Sequence, residues 1–314
     1  MKYRHKDLLG LEGLTREEIM MFLDSARGFK RILSRPIPIV PILRGRTVAN
    51  LFFEPSTRTQ VSFGIAAKRL SADSVTITAK ASSVLKGETL LDTARNIEAM
   101  KVDGVVLRHS ASGAAHFLAE RIDAFVVNAG DGCHEHPTQG LLDIFTIREH
   151  FKKIDGLKIL ILGDITHSRV ARSDIHGLIK LGARVVVCGP PTLVPPEIER
   201  LGVSVHYDLD SAIKDVNVIN ILRLQLERQN RSLFPSIQEY REYFGLTVDR
   251  FRRLKKGVLI MHPGPINRGV EIDPEVADSK QSVILEQVHN GVAVRMAVLY
   301  ILVRRVPWKE GGTS

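Results

Sequence analysis

The feature that most constrains the fold of this chain is the alternation of short apolar, β-prone runs with longer segments of helical period. The apolar runs lie at residues 48–53, 74–77, 104–107, 124–127, 158–162, 184–188, 204–206, 217–222 and 258–261. Between the first two runs, Phe63, Ala66, Ala67 and Leu70 have the i, i+3, i+4, i+7 spacing of an amphipathic helix. Strands separated by helices of this length form βαβ units. The sequence therefore predicts an α/β fold with mostly parallel sheets flanked by helices.

The predicted strands fall into two groups, and these groups indicate two domains. The chain has 314 residues, and an average domain has about 150. A helix is predicted over residues 137–150, and the charged stretch that follows it precedes a new strand. We expect one domain over residues 1–149 and a second over 150–290. Periodicity alone leaves open which domain the apolar C-terminal helix, roughly 282–305, packs on.

Composition excludes several classes of protein. Hydrophobic residues make up 44% and charged residues 25% of the chain, as in ordinary globular proteins and unlike disordered or collagen-like chains. The net charge of +9 fits phosphate-bearing ligands or nucleic acid. A nucleic-acid partner is not expected, because no binding motif is found and aromatic residues are only 6%.

The cysteines and the apolar runs indicate the cellular compartment in which the protein is expected. Cys133 and Cys188 are the only cysteines, which is too few for a disulfide framework or a four-thiolate zinc site. A reducing compartment is the simpler interpretation. The N-terminus shows no signal peptide, and the run 296–303 is far shorter than the ~20 residues of a membrane span. We therefore expect a cytoplasmic protein without a membrane partner.

The strongest local motif follows the first predicted strand. Ser56 occupies a natural N-cap position, and Thr57, Arg58 and Thr59 fall in the first helical turn. Backbone N–H groups at such a turn bind anions, and arginine can bind two phosphate oxygens at once. The alternative is an ordinary capped helix with a surface arginine.

Further cationic and amide side chains follow the other predicted strands, namely Lys86, Arg108, His109, Arg169, Arg223, Gln225 and His262. Open parallel sheets bind ligands outside the carboxyl ends of their strands. Donors outnumber nucleophiles in these motifs, which favours binding of two anionic ligands, one a phosphate, over covalent catalysis. Solvated loops and surface charges are the alternatives, and for the lysine-bearing loop 79–89 taken alone a solvated loop is the simpler one.

A cluster of Cys133, His134, Glu135 and His136 suggests zinc, but an HxH pair without further ligands is incomplete. Pro137 instead fits the first position of a helix, so His136 stands at the helix start. A neutral imidazole there can donate a hydrogen bond to a polarised carbonyl oxygen. The dinucleotide motif G-x-G-x-x-G and the nucleotide P-loop are both absent, and we expect no metal and no cofactor.

In combination, these motifs resemble those of the aspartate carbamoyltransferases, in the same order and from about residue 45 to 300. The residues that carry the resemblance are Ser56, Thr57, Arg58, Thr59, Lys86, Gly87, Glu88, Thr89, Arg108, His109, His136, Pro137, Thr138, Gln139, Arg169, Arg223, Leu224, Gln225, His262, Pro263, Gly264 and Pro265. The resemblance implies carbamoyl transfer from carbamoyl phosphate to L-aspartate in pyrimidine biosynthesis. It also implies that residues 291–314 complete the first, carbamoyl phosphate-binding domain, and that 150–290 bind aspartate.

The resemblance further implies roles for single residues. Carbamoyl phosphate would be held by Ser56, Thr57, Arg58, Thr59, Ser82, Arg108, His136, Gln139, Pro263 and Gly264. Aspartate would be held by Lys86, Arg169, Arg223 and Gln225. The residues expected to act in catalysis are Arg58, Thr59, Lys86, Arg108, His136 and Gln139. The family's catalytic unit is a homotrimer with shared active sites, to which Ser82 and Lys86 of the neighbouring subunit contribute, and regulatory or dihydroorotase chains are possible partners.

Two alternatives to this activity stay open. The chain could be another carbamoyltransferase, above all one for ornithine, although those enzymes usually carry a cysteine where this chain has Pro263. It could also be a non-catalytic subunit that keeps the fold for assembly, although each anion donor is still present.

Overall fold

The computed structural model describes residues 3–78, 87–225 and 236–304. The chain divides into two compact units. Unit 1 comprises residues 1–10, 17–138 and 291–314, and unit 2 comprises residues 11–16 and 139–290. Within the described part of the chain, no helix combines the length and the apolar character that a membrane span requires.

Unit 1 contains a parallel sheet of four strands in the order β2-β1-β3-β4, counted over the described residues. Its strands are β1 (Thr47–Phe52), β2 (Asp73–Thr78), β3 (Gly104–His109) and β4 (Phe125–Asp131). Its helices are α1 (Arg16–Leu33, whose first residue falls in unit 2), α2 (Thr57–Arg69), α3 (Leu90–Ala99) and α4 (Ala114–Ala119). Apolar side chains of β1, β3, β4, α3 and α4 form one buried core.

Unit 2 contains a second parallel sheet, with the order β7-β6-β5-β8-β9 among the described residues. Its strands are β5 (Lys158–Leu162), β6 (Arg184–Cys188), β7 (Ser204–His206), β8 (Val218–Ile221) and β9 (Leu259–Met261). Its shorter helices are α6 (Arg169–Lys180), α7 (Leu209–Ala212), α8 (Ile237–Phe244), α9 (Val248–Arg252) and α10 (Pro274–Ala277). The α/β class with parallel sheets is confirmed.

Besides α1, two more helices contribute residues to both units. Helix α5 (Pro137–His150) has its first two residues in unit 1 and the rest in unit 2. Helix α11 (Ile284–Val303) enters unit 1 at Gly291. The helix predicted over 137–150 is confirmed at both ends.

Most predicted strand boundaries lie within two residues of the observed ones, and the largest error is at the end of β4. The fourth predicted strand stops at residue 127, but β4 continues to Asp131. The extra residues, Asn128 to Asp131, are polar or small and do not resemble a buried strand. They stay in the strand because Asn128 is fully buried, donates hydrogen bonds through its amide nitrogen and accepts one through its amide oxygen.

Candidate active site

The turn between β1 and α2 carries the predicted phosphate motif. Ser56 is the N-cap residue of α2, as predicted, but its side chain accepts no capping hydrogen bond from the first turn. Thr57 and Arg58 are exposed, and Thr59 is buried. This turn therefore presents two hydroxyl groups and a guanidinium beside the positive end of a helix, as an anion-binding site requires.

Arg108, at the end of β3, is fixed by two acceptors, one in the turn after β1 and one in β4. Its Nη2 donates to Glu54 Oε1 at 2.9 Å, and its Nη1 donates to the carbonyl oxygen of Ala129 at 3.2 Å. Glu54 precedes the phosphate motif by two residues, so this ion pair ties the end of β3 to the start of α2. A guanidinium held in this way is already oriented before a ligand arrives.

His136 immediately precedes α5 and is almost fully buried. Its pKa is well below the ordinary value, first because burial penalises the charged form and then because Arg108 and Arg295 are positively charged. The imidazole is therefore neutral at physiological pH. A neutral ring can donate one hydrogen bond to an oxygen on which negative charge develops.

Arg295 is a further candidate residue, which the sequence motifs did not indicate, because its charge acts on His136. It lies in α11 and is buried, with its guanidinium carbon 5.2 Å from the centre of the Phe63 ring in α2. The available signal was a single charged residue in the stretch 291–303 of α11, whose other residues are apolar, glycine or tyrosine. Arginines are rarely buried without a partner, so a buried arginine close to His136 is a candidate for the site.

Within unit 2, a hydrogen-bond network connects Gln139 to the turn after β9. The Gln139 amide donates to Asp143 Oδ1 at 3.0 Å, and the Gln287 amide donates to the same oxygen at 2.7 Å. Gln287 Oε1 accepts the backbone N–H of His262 at 2.9 Å. Two predicted site segments, far apart in sequence, are thereby connected through Asp143 and Gln287, neither of which the sequence analysis singled out.

Asn220 at the end of β8 extends this network to Asp174 on α6. Its amide donates to Asp174 Oδ2 at 2.7 Å and reaches Asp143 Oδ2 at 3.5 Å. All three side chains are buried. Burial raises the pKa of Asp174 well above its ordinary value, and the charge of Asp143 raises it further. Both effects favour the protonated form of Asp174.

The turns that carry Arg169 and Gln225 also meet within unit 2. Arg169 is the first residue of α6, which Ser168 caps by accepting the N–H of Ala171 at 3.1 Å. The Gln225 amide donates to the carbonyl oxygen of His167 at 3.1 Å. Arg223 is half-buried in the segment after β8. An arginine and an amide thus lie on adjoining turns at strand ends, as a carboxylate site requires.

The turn after β9 holds Pro263 and Gly264 in place through His262. His262 Nδ1 accepts the N–H of Gly264 at 2.8 Å, so the ring carries its proton on Nε2, which faces Glu271 Oε1 at 3.2 Å. His262 and Glu271 are both buried.

The structure thus brings the predicted residues into two groups, one in each unit. Unit 1 holds Ser56, Thr57, Arg58, Thr59, Arg108 and His136, and unit 2 holds Gln139, Arg169, Arg223, Gln225, Pro263 and Gly264. Ser82 and Lys86 lie outside the described residues, so their predicted positions stay untested.

Comparison with known proteins gives a consistent result. Residues 6–149 match the family model "Aspartate/ornithine carbamoyltransferase, carbamoyl-P binding domain", and residues 155–302 match "Aspartate/ornithine carbamoyltransferase, Asp/Orn binding domain". The aspartate carbamoyltransferase catalytic subunit of Halothermothrix orenii is 60% identical over 305 residues, which cover 97% of each chain.

Solved structures of both activities share the fold. An aspartate transcarbamoylase of Trypanosoma cruzi, in complex with carbamoyl phosphate, has a TM-score of 0.85 at 30% identity and covers 94% of this chain and 95% of its own. The ornithine carbamoyltransferase of Pyrococcus furiosus has a TM-score of 0.83 at 31% identity, with 96% and 97% covered. The fold alone does not separate the two acceptors.

Proposed function

The chain belongs to the aspartate/ornithine carbamoyltransferase family, and on that premise we propose that it transfers the carbamoyl group of carbamoyl phosphate to the amine of L-aspartate. The products are N-carbamoyl-L-aspartate and phosphate, a reaction of de novo pyrimidine biosynthesis. The observation that carries the proposal is the group of oriented donors in unit 1, at the α2 N-terminus, Arg108 and neutral His136.

Each of the two domains binds mainly one of the two substrates. Residues 1–149 with 291–314 bind carbamoyl phosphate, and residues 150–290 bind aspartate. The phosphate is held by Ser56, Thr57, Arg58, Thr59 and Arg108, and by Ser82 of a neighbouring copy. The description of the matched family model over 6–149 supports this division.

Catalysis is stabilisation of the charge that grows on the carbonyl oxygen when the amine attacks the carbamoyl carbon. Thr59, Arg108 and His136 donate to that oxygen, and one good donor lowers the barrier by about 3–4 kcal/mol. Gln139 and the backbone carbonyls of Pro263 and Gly264 hold the carbamoyl nitrogen or the attacking amine. Binding the reactants in line removes much of the remaining entropic cost.

The departing phosphate accepts the proton of the amine, so the mechanism requires no protein base. The lowered pKa of His136 supports this assignment, because an imidazole with a low pKa is a weak base and serves instead as a hydrogen-bond donor. A substitution of any one side chain that produced the pH–rate profile of a lost general base would contradict it.

Aspartate is held through its carboxylates by Arg169, Arg223 and Gln225, with Lys86 of the neighbouring copy. The same arginines disfavour ornithine, whose side chain is cationic. Two like charges 4 Å apart in a semi-buried site repel by roughly 4 kcal/mol, which is enough to discriminate between the acceptors. Proline at position 263, where ornithine enzymes usually carry cysteine, also favours aspartate.

The first experiment measures the product of the purified chain with carbamoyl phosphate and either L-aspartate or L-ornithine. We expect carbamoyl aspartate alone, and loss of the activity in Arg58→Ala but not in Arg31→Ala, which removes an exposed arginine of α1. Citrulline would overturn the aspartate assignment and the role of Arg223. Absence of both products would favour a non-catalytic subunit or a missing partner chain, and addition of candidate partners separates these two.

We further propose that the active unit is a homotrimer. Apolar side chains are exposed on α2 and on edge strand β2 of unit 1, among them Val61, Ile65 and Val75. Large exposed apolar patches mark protein interfaces. The neighbouring copy would supply Ser82 and Lys86 through this surface. Regulatory or dihydroorotase chains are further possible partners.

The cytoplasm is the proposed location. Both cysteines are free, Cys133 in unit 1 and Cys188 in unit 2, as is usual in reducing compartments.

A further inference from the structure

Two histidines and an aspartate meet beside the end of β4 in unit 1. His116 lies on α4, Asp131 is the last residue of β4, and His134 lies in the turn that follows. One potential ligand atom of each side chain lies within 4.8 Å of those of the other two. We propose that these three side chains bind a divalent transition-metal ion, and that Zn²⁺ is the ion they match.

The spacing of two of the ligand atoms already suits a tetrahedral ion. His134 Nδ1 lies 3.2 Å from Asp131 Oδ2. Zinc–ligand bonds of ~2.0 Å in tetrahedral geometry place neighbouring ligand atoms about 3.3 Å apart. The ion would take the place of the proton between these atoms, and its binding would release that proton. His116 is exposed, so its ring can rotate to close the remaining distance.

The carboxylate is held in position by groups that leave it able to bind an ion. Asp131 Oδ2 accepts the N–H of Gly113 at 2.7 Å, and Oδ1 accepts the amide of Asn128 at 2.7 Å and the N–H of Glu135 at 3.2 Å. Such outer partners orient metal ligands and strengthen binding. Gly113 is also the N-cap residue of α4, so the same bond fixes the helix that carries His116.

Other charged side chains lie near the proposed site. Asp7 adds negative charge near His116, whereas Lys6 donates to the carbonyl oxygens of Ala119 and Ile122 at the end of α4.

The ligand set selects the ion. Two imidazole nitrogens and one carboxylate oxygen suit zinc, while calcium and magnesium prefer oxygen ligands throughout. Three protein ligands leave a fourth position for water. The sequence could not show this set, because His116 is separated from His134 by an entire strand and reaches it only through the fold.

The proposed ion would connect α4 to the segment that leads from β4 to His136. Its role is structural, and it is independent of the transfer reaction proposed above. We therefore expect zinc to raise the melting temperature of the chain, by the linkage that holds for any ligand bound only by the folded state.

The test is calorimetric titration of Zn²⁺ into the purified chain, without an affinity tag and after treatment with chelator. We expect one ion per chain in the wild type. In His116→Gln and His134→Gln we expect affinity to fall by at least the ~10–100-fold that loss of an outer partner costs. His289→Gln, an exposed histidine outside the cluster, and His176→Gln in unit 2 are the controls, and should leave affinity unchanged.

The visible spectrum of bound Co²⁺ provides a second, independent test of the ligand set. Co²⁺ bound to two imidazoles and a carboxylate shows visible d–d bands without a thiolate charge-transfer band, and Cys133→Ser should leave the spectrum unaltered. No zinc binding by the wild type, or binding that neither His116→Gln nor His134→Gln weakens, would overturn the proposal. A thiolate band lost in Cys133→Ser would overturn the three-residue ligand set. None of these measurements uses carbamoyl phosphate, so failure of the proposed activity leaves the result unaffected.

Discussion

The protonation state or the orientation of single residues in the candidate site is fixed by neighbouring groups before any substrate binds. His136 is kept neutral by burial and by the charges of Arg108 and Arg295. Arg108 is kept in one orientation by Glu54 and Ala129. Donors fixed in this way need little reorganisation during the reaction, which is the main source of electrostatic catalysis.

Replacement of His136 tests that account. We expect His136→Ala to lower kcat by about 10²–10³, the effect of losing one donor to a developing oxyanion. Steady-state kinetics with saturating carbamoyl phosphate measures the change, and His289→Ala serves as a matched control on an exposed histidine. A kcat within a few-fold of the wild type would show that His136 does not contact the reacting oxygen.

The buried pair of Asp143 and Asp174 is expected to make the free energy of unfolding depend on pH. Because the folded-state pKa of Asp174 lies above its ordinary value of 3.8, the folded chain binds one more proton than the unfolded chain between these two values. Its contribution to the free energy of unfolding is therefore complete below about pH 4 and is lost as pH rises towards the folded pKa.

Asparagine cannot ionise, so Asp174→Asn removes the loss of stability that the wild type shows as pH rises. Relative to the wild type, the variant should gain about 1.4 kcal/mol of unfolding free energy per pH unit above pH 4, until the folded pKa is reached. Urea denaturation between about pH 5 and pH 7 measures the difference. Exposed Asp123→Asn is the control and should show no such trend. A constant difference across the range would mean that Asp174 is ionised in the folded chain.

The residues of the hydrogen-bond networks that the sequence did not indicate were missed for one physical reason. Asp143 and Gln287 are hydrogen-bonded to each other across 144 residues, and Glu54 pairs with Arg108 across 54, so nothing in the local pattern reveals these partners. Arg108, His136 and Arg169 were predictable, because each stands at the end of a strand or the start of a helix, where the local pattern locates it.

At the scale of elements, helix α6 supports a prediction about its N-cap. Ser168 is buried and accepts the N–H of Ala171, and the next residue is Arg169. Ser168→Ala should cost about 1 kcal/mol of unfolding free energy. If Arg169 binds aspartate, the variant should also raise the KM for aspartate, because the first turn that positions the arginine loosens.

Ser236→Ala is the matched control for that variant. Ser236 caps α8 by the same kind of bond, to the N–H of Glu239 at 3.0 Å. It should cause a similar loss of stability and leave the KM for aspartate unchanged. Equal effects of the two variants on KM would assign the change to general destabilisation rather than to Arg169.

Strands and helices were largely predictable, because short apolar runs between segments of helical period are typical of the buried strands of parallel sheets. Predicted strands 158–162, 184–188 and 204–206 have the observed bounds. The end of β4 was not predictable, because Asn128 to Asp131 are held there by side-chain hydrogen bonds and by register with β3 rather than by apolar burial.

At the scale of the whole molecule, the proposed trimer supports a further prediction. Val61 and Ile65 are four residues apart on one face of α2, and both are exposed. We expect Val61→Glu with Ile65→Glu to convert the trimer to monomers in sedimentation velocity. Activity should fall with it, since Ser82 and Lys86 of a neighbouring copy would then be absent from the site.

Leu285→Glu, which adds the same charge at an exposed leucine of unit 2, is the control for that variant. It should leave sedimentation and activity unchanged. A double variant that sediments as the wild type does would exclude the α2 face from the interface.

The order of the chain through the two units has a consequence for synthesis on the ribosome. Unit 1 takes residues 1–10 and 17–138 from early in the chain but also 291–314, whereas unit 2 ends at residue 290. Domains generally fold as they emerge, N-terminal first. Here the sheet of unit 1 is synthesised first. Unit 1 is nevertheless incomplete until the second half of α11, with Arg295, has emerged, and that part follows all residues of unit 2. Nascent chains stalled so that only residues up to about 290 have emerged should therefore protect unit 2 from protease before unit 1, and protection in the reverse order would contradict this sequence of events.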